Sequence, residues 1–127
     1  MQKMNDDLEK IKSRFAEGYQ SFIDVGKGWH QIIINLDKAL SKLDPNYKIY
    51  QIKEKFGGLR YYCSSDNNKL AREIISEAEK VADKTCENCG KSGKLVTNNG
   101  WYYTCCVDCS SPESKLAGGI GFRSDDN

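Results

Sequence analysis

The 127-residue sequence lacks several features that mark common classes of protein. It has no apolar run approaching the roughly 20 residues that a membrane-spanning helix needs. Its first seven residues, Met1–Asp7, contain none of the apolar stretch of an export signal. We therefore expect neither a membrane protein nor a secreted one, and we predict a cytoplasmic location.

The chain also has little net charge and few groups suited to acid–base catalysis. Nineteen Lys and Arg residues stand against eighteen Asp and Glu residues, which gives a formal net charge of +1. A strongly basic nucleic-acid binder is therefore not indicated. His30 is the single histidine, and no two carboxylates stand at a recognisable catalytic spacing. We predict that the protein is not an enzyme.

Six cysteines are present, and four of them form two Cys-x-x-Cys pairs. The pairs are Cys86 with Cys89 and Cys106 with Cys109, a spacing typical of a zinc site. Four thiolates at about 2.3 Å complete the tetrahedron of a zinc ion, so the predicted site is closed and structural, with one Zn²⁺ per chain. The rival interpretation is a thioredoxin-like redox pair, which needs a strand-to-helix junction, whereas these pairs flank a predicted hairpin.

Cys63 and Cys105 stand outside the two pairs. Neighbouring strand residues point to opposite faces, so Cys105 faces away from the metal if Cys106 faces toward it. We interpret both spare cysteines as small buried apolar residues. The alternative for Cys105 is a redox-sensitive neighbour or a substitute ligand.

Hydrophobic periodicity predicts three helices, over residues 4–20, 29–43 and 68–84, and a short strand at 22–25. Residues 47–63 are rich in Tyr, Ile and Phe, and they predict a β-hairpin whose turn is Gly57-Gly58. Strands at 94–97 and 101–106 with a turn at 98–100 lie between the cysteine pairs, which is the layout of a zinc ribbon.

These elements predict an α+β fold, in which three helices pack on a β-hairpin or small antiparallel sheet and a zinc ribbon follows at the C-terminal end. Residues 1–84 would form the helical and hairpin core, and residues 85–110 the zinc-ribbon module packed on it. Residues 111–127 contain Ser, Pro and Gly with few apolar residues, and they predict a flexible tail.

The predicted hairpin collects cations and a tyrosine on one face, which we call the basic face. Its members are Lys53, Lys55, Arg60 and Tyr62. In the predicted register Lys55 opposes Arg60, and like charges that face each other across strands are destabilising. An anion over the face would relieve that repulsion. The alternatives are a solvated edge strand, or neutralisation by carboxylates such as Glu73 and Glu77.

The segment Gly26-Lys-Gly-Trp29-His30, before the second predicted helix, is a further candidate. Free N–H groups at a helix N-terminus bind anions, and a tryptophan ring stacks on a base. We therefore predict that Trp29, His30 and the basic face bind a phosphate-bearing ligand such as a nucleotide. The alternative is that Trp29 anchors the core and His30 faces solvent.

Several of these motifs together resemble a family of small phage and prophage proteins. They are Gly28-Trp29, Gln51-Ile-Lys-Glu-Lys-Phe-Gly-Gly-Leu-Arg-Tyr61, Cys86-x-x-Cys89-Gly90 and Gly100-Trp101, within residues 14–109. The resemblance implies an accessory role in a bacterial host cell, countering host defence. It implies capture of a nucleotide immune signal or, alternatively, inhibition of a host defence protein by direct contact. A nucleic-acid-binding zinc ribbon is the third possibility, which the near-neutral charge disfavours.

Overall fold

Three amphipathic segments form helices in a computed structural model that describes residues 2–111 and 113–116. The helices are α1 (Gln2–Lys12), α2 (His30–Leu43) and α3 (Lys69–Ala82), and a 3₁₀ turn, Lys27–Trp29, precedes α2. The strands are β1 (Ile23–Asp24), β2 (Ile49–Lys55), β3 (Gly58–Cys63), β4 (Lys94–Asn98), β5 (Trp101–Cys105) and β6 (Lys115–Leu116). With two three-stranded sheets in the described residues, the predicted α+β class is confirmed. No helix in the described ranges is both long and apolar enough to cross a membrane.

Helix α1 is shorter than the predicted helix over 4–20, which is a correction to the sequence analysis. It ends at Lys12, and Phe15 then forms a parallel bridge with Ile49 of β2. The N–H of Ala16 donates to the carbonyl of Ile49 at 2.9 Å, and the N–H of Ile49 donates to the carbonyl of Arg14 at 3.0 Å. Pairing with β2 satisfies this backbone, so the helical spacing of Phe15 was misleading.

The helices and one face of the first sheet enclose the main apolar core. The sheet has the order β1-β2-β3, with β1 parallel and β3 antiparallel to β2. Fully buried aliphatic side chains include Ile11, Ile33, Leu40, Ile49, Ile52 and Leu59. Each contributes about 1.5–3 kcal/mol to stability relative to an exposed position, which makes this core the main source of folding free energy.

A buried polar network lies within that core. Asp37 accepts a hydrogen bond from the hydroxyl of Tyr47, and the hydroxyls of Tyr47 and Tyr61 lie 2.7 Å apart. The Nε of Arg14 lies 2.7 Å from the Asp37 carboxylate, an ion-pair contact bent away from hydrogen-bond geometry. The guanidinium also lies 5.5 Å from the centroid of the Tyr47 ring. The buried Asp37 carboxylate thus has the Tyr47 hydroxyl and the Arg14 guanidinium as partners, and a buried charge requires such partners.

The hairpin β2–β3 turns one residue earlier than predicted. Phe56 and Gly57 occupy the turn with φ angles of 54° and 81°, and Lys55 pairs with Gly58. Two successive positive φ angles are typical of a type I′ turn, whose twist matches that of the strands. The predicted Gly57-Gly58 turn is therefore wrong.

The new register changes the cross-strand neighbours but preserves the faces. Lys53, not Lys55, opposes Arg60. Because the pairing moves by two residues and side chains alternate with period two, every strand residue keeps its predicted face. Lys53, Lys55, Arg60 and Tyr62 therefore share one side of the hairpin, as predicted.

The second sheet has the order β5-β4-β6. Asn99 and Gly100 form the β4–β5 turn with φ angles of 53° and 85°, which agrees with the predicted Asn-Gly turn. Strand β6 is an addition that the sequence analysis missed, since Leu116 pairs with Val96 of β4. The predicted flexible tail thus begins with an ordered segment, and residues 112 and 117–127 lie outside the described part of the chain.

Candidate metal centre and neighbouring surfaces

Four cysteines that are distant in sequence meet at one point. Cys86 and Cys89 follow α3, whereas Cys106 and Cys109 follow β5. Their Sγ atoms all lie within 4.8 Å of one another, and those of Cys89 and Cys106 are 3.6 Å apart. Sulfur atoms bonded tetrahedrally to zinc at about 2.3 Å would be about 3.8 Å from each other. The cluster therefore fits one thiophilic metal ion, with the four ligands that the sequence predicts.

The pKa values of these thiols also favour a bound cation. Burial raises the pKa of Cys86, but backbone N–H groups of Cys89, Cys106 and Asn88 donate hydrogen bonds that outweigh it and bring the pKa to about 6. Hydrogen bonds with the thiols of Cys106 and Cys89 raise the pKa of Cys109 to about 12. Closely packed thiols resist joint ionisation, so a cation is needed to hold all four as thiolates.

The two remaining cysteines lie away from the cluster. Cys105 is fully buried in the small apolar core of the ribbon, beside Val96. Cys63 is buried in the main core, where its thiol donates to a carboxylate oxygen of Asp66 at 3.5 Å. Burial raises the pKa of Cys63 to about 12, which keeps it an unreactive thiol.

Trp29 is an anchor for the loop of the first cysteine pair, which corrects the ligand role predicted for it. The side chain is fully buried, and its indole N–H donates to the carbonyl oxygen of Thr85 at 2.8 Å. The N–H of Gly28 donates to the carbonyl oxygen of Glu87 at 2.8 Å. A Cβ at Gly28 would lie only 2.2 Å from the carbonyl oxygen of Cys86. This segment therefore holds the first cysteine pair, and the Trp29 ring has no exposed surface for stacking.

The turn of the first hairpin makes a second contact with the ribbon. The hydroxyl of Thr104 donates to the carbonyl oxygen of Gly57 at 2.7 Å, and the Thr104 N–H donates to the Glu87 carboxylate at 2.7 Å. A Cβ at Gly57 would lie 2.4 Å from a methyl group of Leu95. Burial raises the pKa of Glu87 to about 7, with the Thr104 N–H opposing the rise and the Glu54 carboxylate adding to it. The two hairpins are thus fixed relative to each other.

His30 is the first residue of α2 and lies half-buried. Burial lowers its pKa, although a hydrogen bond with the backbone of Val25 opposes that change. His30 lines neither the cavity nor the cleft described below. The structure therefore does not join it to the other predicted ligand residues at those openings.

The basic face is assembled, and two carboxylates lie near its cations. Lys53 lies between Arg60 on β3 and Asp24 on β1, so a carboxylate sits directly beside it in the sheet. Burial raises the pKa of Glu79 on α3, and the charge of Arg60 opposes that rise, which places the two groups within electrostatic reach. Asp24 is thus the sheet neighbour of Lys53, and Glu79 is within electrostatic reach of Arg60. Glu77, which the sequence suggested, lies 3.8 Å from the Nζ of Lys80.

A cavity of about 510 Å³ opens beside the basic face, and we call it the tyrosine cavity. Its lining includes Tyr19, Phe22, Asp24, Tyr50, Gln51 and Tyr62. The ring centroids of Tyr19 and Tyr50 lie 5.0 Å apart. Tyr62 is 42% exposed and belongs both to this cavity and to the basic face. The sequence analysis missed Tyr19 and Tyr50 because residue 19 was assigned to a helix and its neighbour on β2 lies thirty-one positions away.

A second opening, of about 400 Å³, lies between the turns of the two hairpins, and we call it the aromatic cleft. Phe56, Trp101 and Tyr102 line it, together with the charged residues Glu54 and Lys55. Trp101 is 76% exposed and Phe56 65%. The Nζ of Lys55 lies 5.5 Å from the centroid of the Phe56 ring. The sequence contains both aromatic turns, but only the docking of one hairpin on the other brings them together.

Comparison of the chain with protein-family models, with curated proteins and with solved structures gives no match. The cysteine cluster can hold a metal ion, and the basic face and the two aromatic openings are the further candidate binding surfaces.

Proposed function

We propose that this is a non-enzymatic, zinc-stabilised binding protein that captures a phosphate-bearing ligand, such as a nucleotide, on the basic face. The observation that carries the proposal is the position of Tyr62, which lies on the basic face and also lines the tyrosine cavity. One ligand can therefore place a ring among the tyrosines and a phosphate over Lys53 and Arg60.

The spacing along β3 suits such a ligand. Tyr62 and Arg60 are two residues apart on the same face, a separation of about 7 Å, which is within the span of a mononucleotide. The guanidinium of Arg60 can fork onto a phosphate, while Lys53 adds a point charge beside it. The cavity volume of about 510 Å³ falls within the usual range for small-molecule sites, which is roughly 300–1,000 Å³.

In this proposal the ion in the cysteine cluster is zinc, and its role is structural. Four thiolates leave no coordination position for a substrate or a reactive water. The ion would tie the loop after α3 to the loop after β5, and so hold the ribbon against Gly28 and Gly57. Zinc thus maintains the surface on which the ligand binds, without contacting the ligand.

Two carboxylates compete with the ligand for the cations of the basic face. Asp24 lies beside Lys53, and Glu79 interacts with Arg60. They relieve like-charge repulsion in the ligand-free protein, and they repel a phosphate. Ligand affinity should therefore rise when Asp24 is neutralised, which distinguishes a phosphate site from a solvated edge.

Calorimetry with nucleoside monophosphates, nucleoside triphosphates and cyclic nucleotides tests the proposal. Arg60→Gln should weaken binding by about tenfold or more, since a charged hydrogen bond contributes about 1.5–3 kcal/mol, and Asp24→Asn should strengthen it. Lys48→Gln, which removes a cation outside the basic face, is the matched control. If no nucleotide binds the wild-type protein, the proposal is wrong.

The counter-defence role implied by the phage resemblance belongs to the same proposal. The captured ligand would then be a nucleotide signal of the host's immune response, and the protein would act in the bacterial cytoplasm by sequestering it. Arg60→Gln should lose protection of phage growth in a defended host, whereas Lys48→Gln should keep it. Equal protection by the two variants would show that any counter-defence activity does not depend on the basic face.

A further inference from the structure

We infer that the ligand is a short single-stranded oligonucleotide, which spans the basic face from the tyrosine cavity to the aromatic cleft. This inference rests on the proposed function and extends it, because a mononucleotide has a single base and cannot occupy both aromatic openings.

The two aromatic openings lie at opposite ends of a row of cations. Tyr62 marks the end at the tyrosine cavity, Lys53 and Arg60 lie in the middle, and Lys55 lies at the end that lines the aromatic cleft. Side chains on one face recur every second residue, so the row is about 14 Å long from Tyr62 to the level of Lys55. Rings at both ends with cations between them match the alternation of bases and phosphates along a single strand.

The aromatic cleft has the properties of a stacking surface prepared in advance. Phe56 has a φ angle of 54°, a conformation that is strained for a bulky residue and relaxed for Asn or Gly. Its ring is nevertheless mostly exposed, as is that of Trp101, so neither ring gains much from burial in the fold. The Thr104–Gly57 hydrogen bond holds the turn that carries Phe56 against the ribbon. Holding the backbone of this turn in place before binding lowers the entropic cost of capturing a base.

Charge selects a nucleic acid over an uncharged peptide and limits its length. Lys53, Lys55 and Arg60 favour an anionic backbone, and the aromatic groups at either end accept any base, because every base has a flat face. The formal net charge of only +1 does not support long strands held by charge alone. A segment of two or three nucleotides fits the length of the row.

The test uses the zinc-loaded full chain and 5′-phosphorylated adenylates of one, two and three nucleotides. Affinity should rise by about tenfold or more from one nucleotide to three, because a second base then reaches the aromatic cleft. Trp101→Ala should remove that gain without changing the affinity for the mononucleotide. Trp101→Phe keeps a flat ring and should restore most of the gain.

Tryptophan fluorescence provides an independent readout, because Trp29 is buried and Trp101 is exposed. The trinucleotide should quench the emission of the wild-type protein, and the mononucleotide should not. If the trinucleotide binds no more tightly than the mononucleotide, the inference is overturned while the proposed function stands. If Trp101→Ala binds the trinucleotide as well as the wild type does, the inference is also overturned and the aromatic cleft is better explained as a surface for a protein. Failure of all three adenylates to bind would overturn the inference, and the proposed function would fail with it if the other nucleotides tested by calorimetry also do not bind.

Discussion

The indole N–H of Trp29 donates to the carbonyl oxygen of Thr85 at 2.8 Å, although 56 positions separate the two residues in sequence. Thr85 directly precedes Cys86, so this bond connects the start of α2 to the first metal-binding loop. The Trp29 side chain is at the same time part of the main apolar core. Packing of the core and the position of the first cysteine pair are therefore coupled through this contact.

Gly28→Ala should destabilise the protein and weaken metal binding together. The new Cβ would lie 2.2 Å from the carbonyl oxygen of Cys86 and 2.7 Å from that of Glu87, so the backbone of the cysteine loop must move. We expect a loss of about 1–3 kcal/mol in the free energy of unfolding, the usual cost of overpacking. Denaturant titration and competition with a metal chelator measure the two effects.

Gly58→Ala is the matched control. Its Cβ would meet the carbonyl oxygen of Lys55 at an ordinary 3.6 Å, and we expect both stability and metal retention to stay close to those of the wild type. Equal stability and equal chelator resistance of the two alanine variants would contradict the proposed coupling.

The purified protein should contain one zinc ion per chain, held by the four clustered cysteines. Serine at position 86, 89, 106 or 109 should release the ion and unfold the ribbon, because structural zinc contributes on the order of 10 kcal/mol to the folding of small modules. Elemental analysis together with circular dichroism checks both outcomes.

Cys105→Ala and Cys63→Ala should retain the ion, since both thiols lie outside the cluster. Loss of metal in Cys105→Ala with retention in Cys106→Ser would disprove the ligand assignment.

Local patterns were sufficient to predict the four clustered cysteines and the composition of the basic face. The spacing within each Cys-x-x-Cys pair places two sulfur atoms on one tight loop, whatever the rest of the chain does. The face of Lys53 and Arg60 was predicted despite a wrong turn, because a shift of two residues in register preserves strand alternation.

Features that depend on contacts between distant parts of the chain could not be predicted from the sequence. The turn of the first hairpin is Phe56-Gly57, and a Cβ at Gly57 would meet the Leu95 side chain of the ribbon, a distant neighbour that local turn rules do not include. The burial of Trp29 likewise depends on Thr85, a distant partner. The tyrosine cavity could not be predicted, because residues 16–20 were assigned to a helix and instead form a loop beside β2.

Alkaline pH should destabilise the protein through its two buried tyrosines. Burial raises the pKa of Tyr47 well above its ordinary value, with the nearby Tyr61 and Asp37 adding to the rise. Burial also raises the pKa of Tyr61, although the hydrogen bond with Tyr47 opposes it. Both hydroxyls bind protons more tightly when folded, so their stabilisation is complete below the unfolded pKa of about 10 and is lost as the pH rises above it.

Tyrosinate absorbance and denaturant titration across this pH range test that prediction. Of the seven tyrosines, Tyr47 and Tyr61 should ionise only when the protein unfolds. Tyr61→Phe should make stability less dependent on pH above about 10. The prediction fails if all seven tyrosines ionise reversibly while the protein remains folded.

Phe56→Asn should stabilise the protein while weakening its capture of the trinucleotide. At a φ angle of 54° a phenylalanine is strained, and asparagine tolerates this conformation, so we expect a gain of about 1 kcal/mol in the free energy of unfolding. Little apolar burial is lost, because the Phe56 side chain is already 65% exposed. Removal of its ring should nevertheless lower trinucleotide affinity by about tenfold, since stacking contributes roughly 1–3 kcal/mol per base.

Asn99→Gly is the control for Phe56→Asn. Asn99 begins the other hairpin turn with a φ angle of 53°, a conformation that asparagine already tolerates. It should change neither stability nor trinucleotide affinity appreciably. Thermal unfolding and calorimetry on the two variants measure both quantities. A more stable Phe56→Asn protein with undiminished trinucleotide affinity would show that the strain is unrelated to ligand capture. A less stable one would show that the Phe56 ring supports the fold, and the exposed aromatic turn would then need no ligand to explain it.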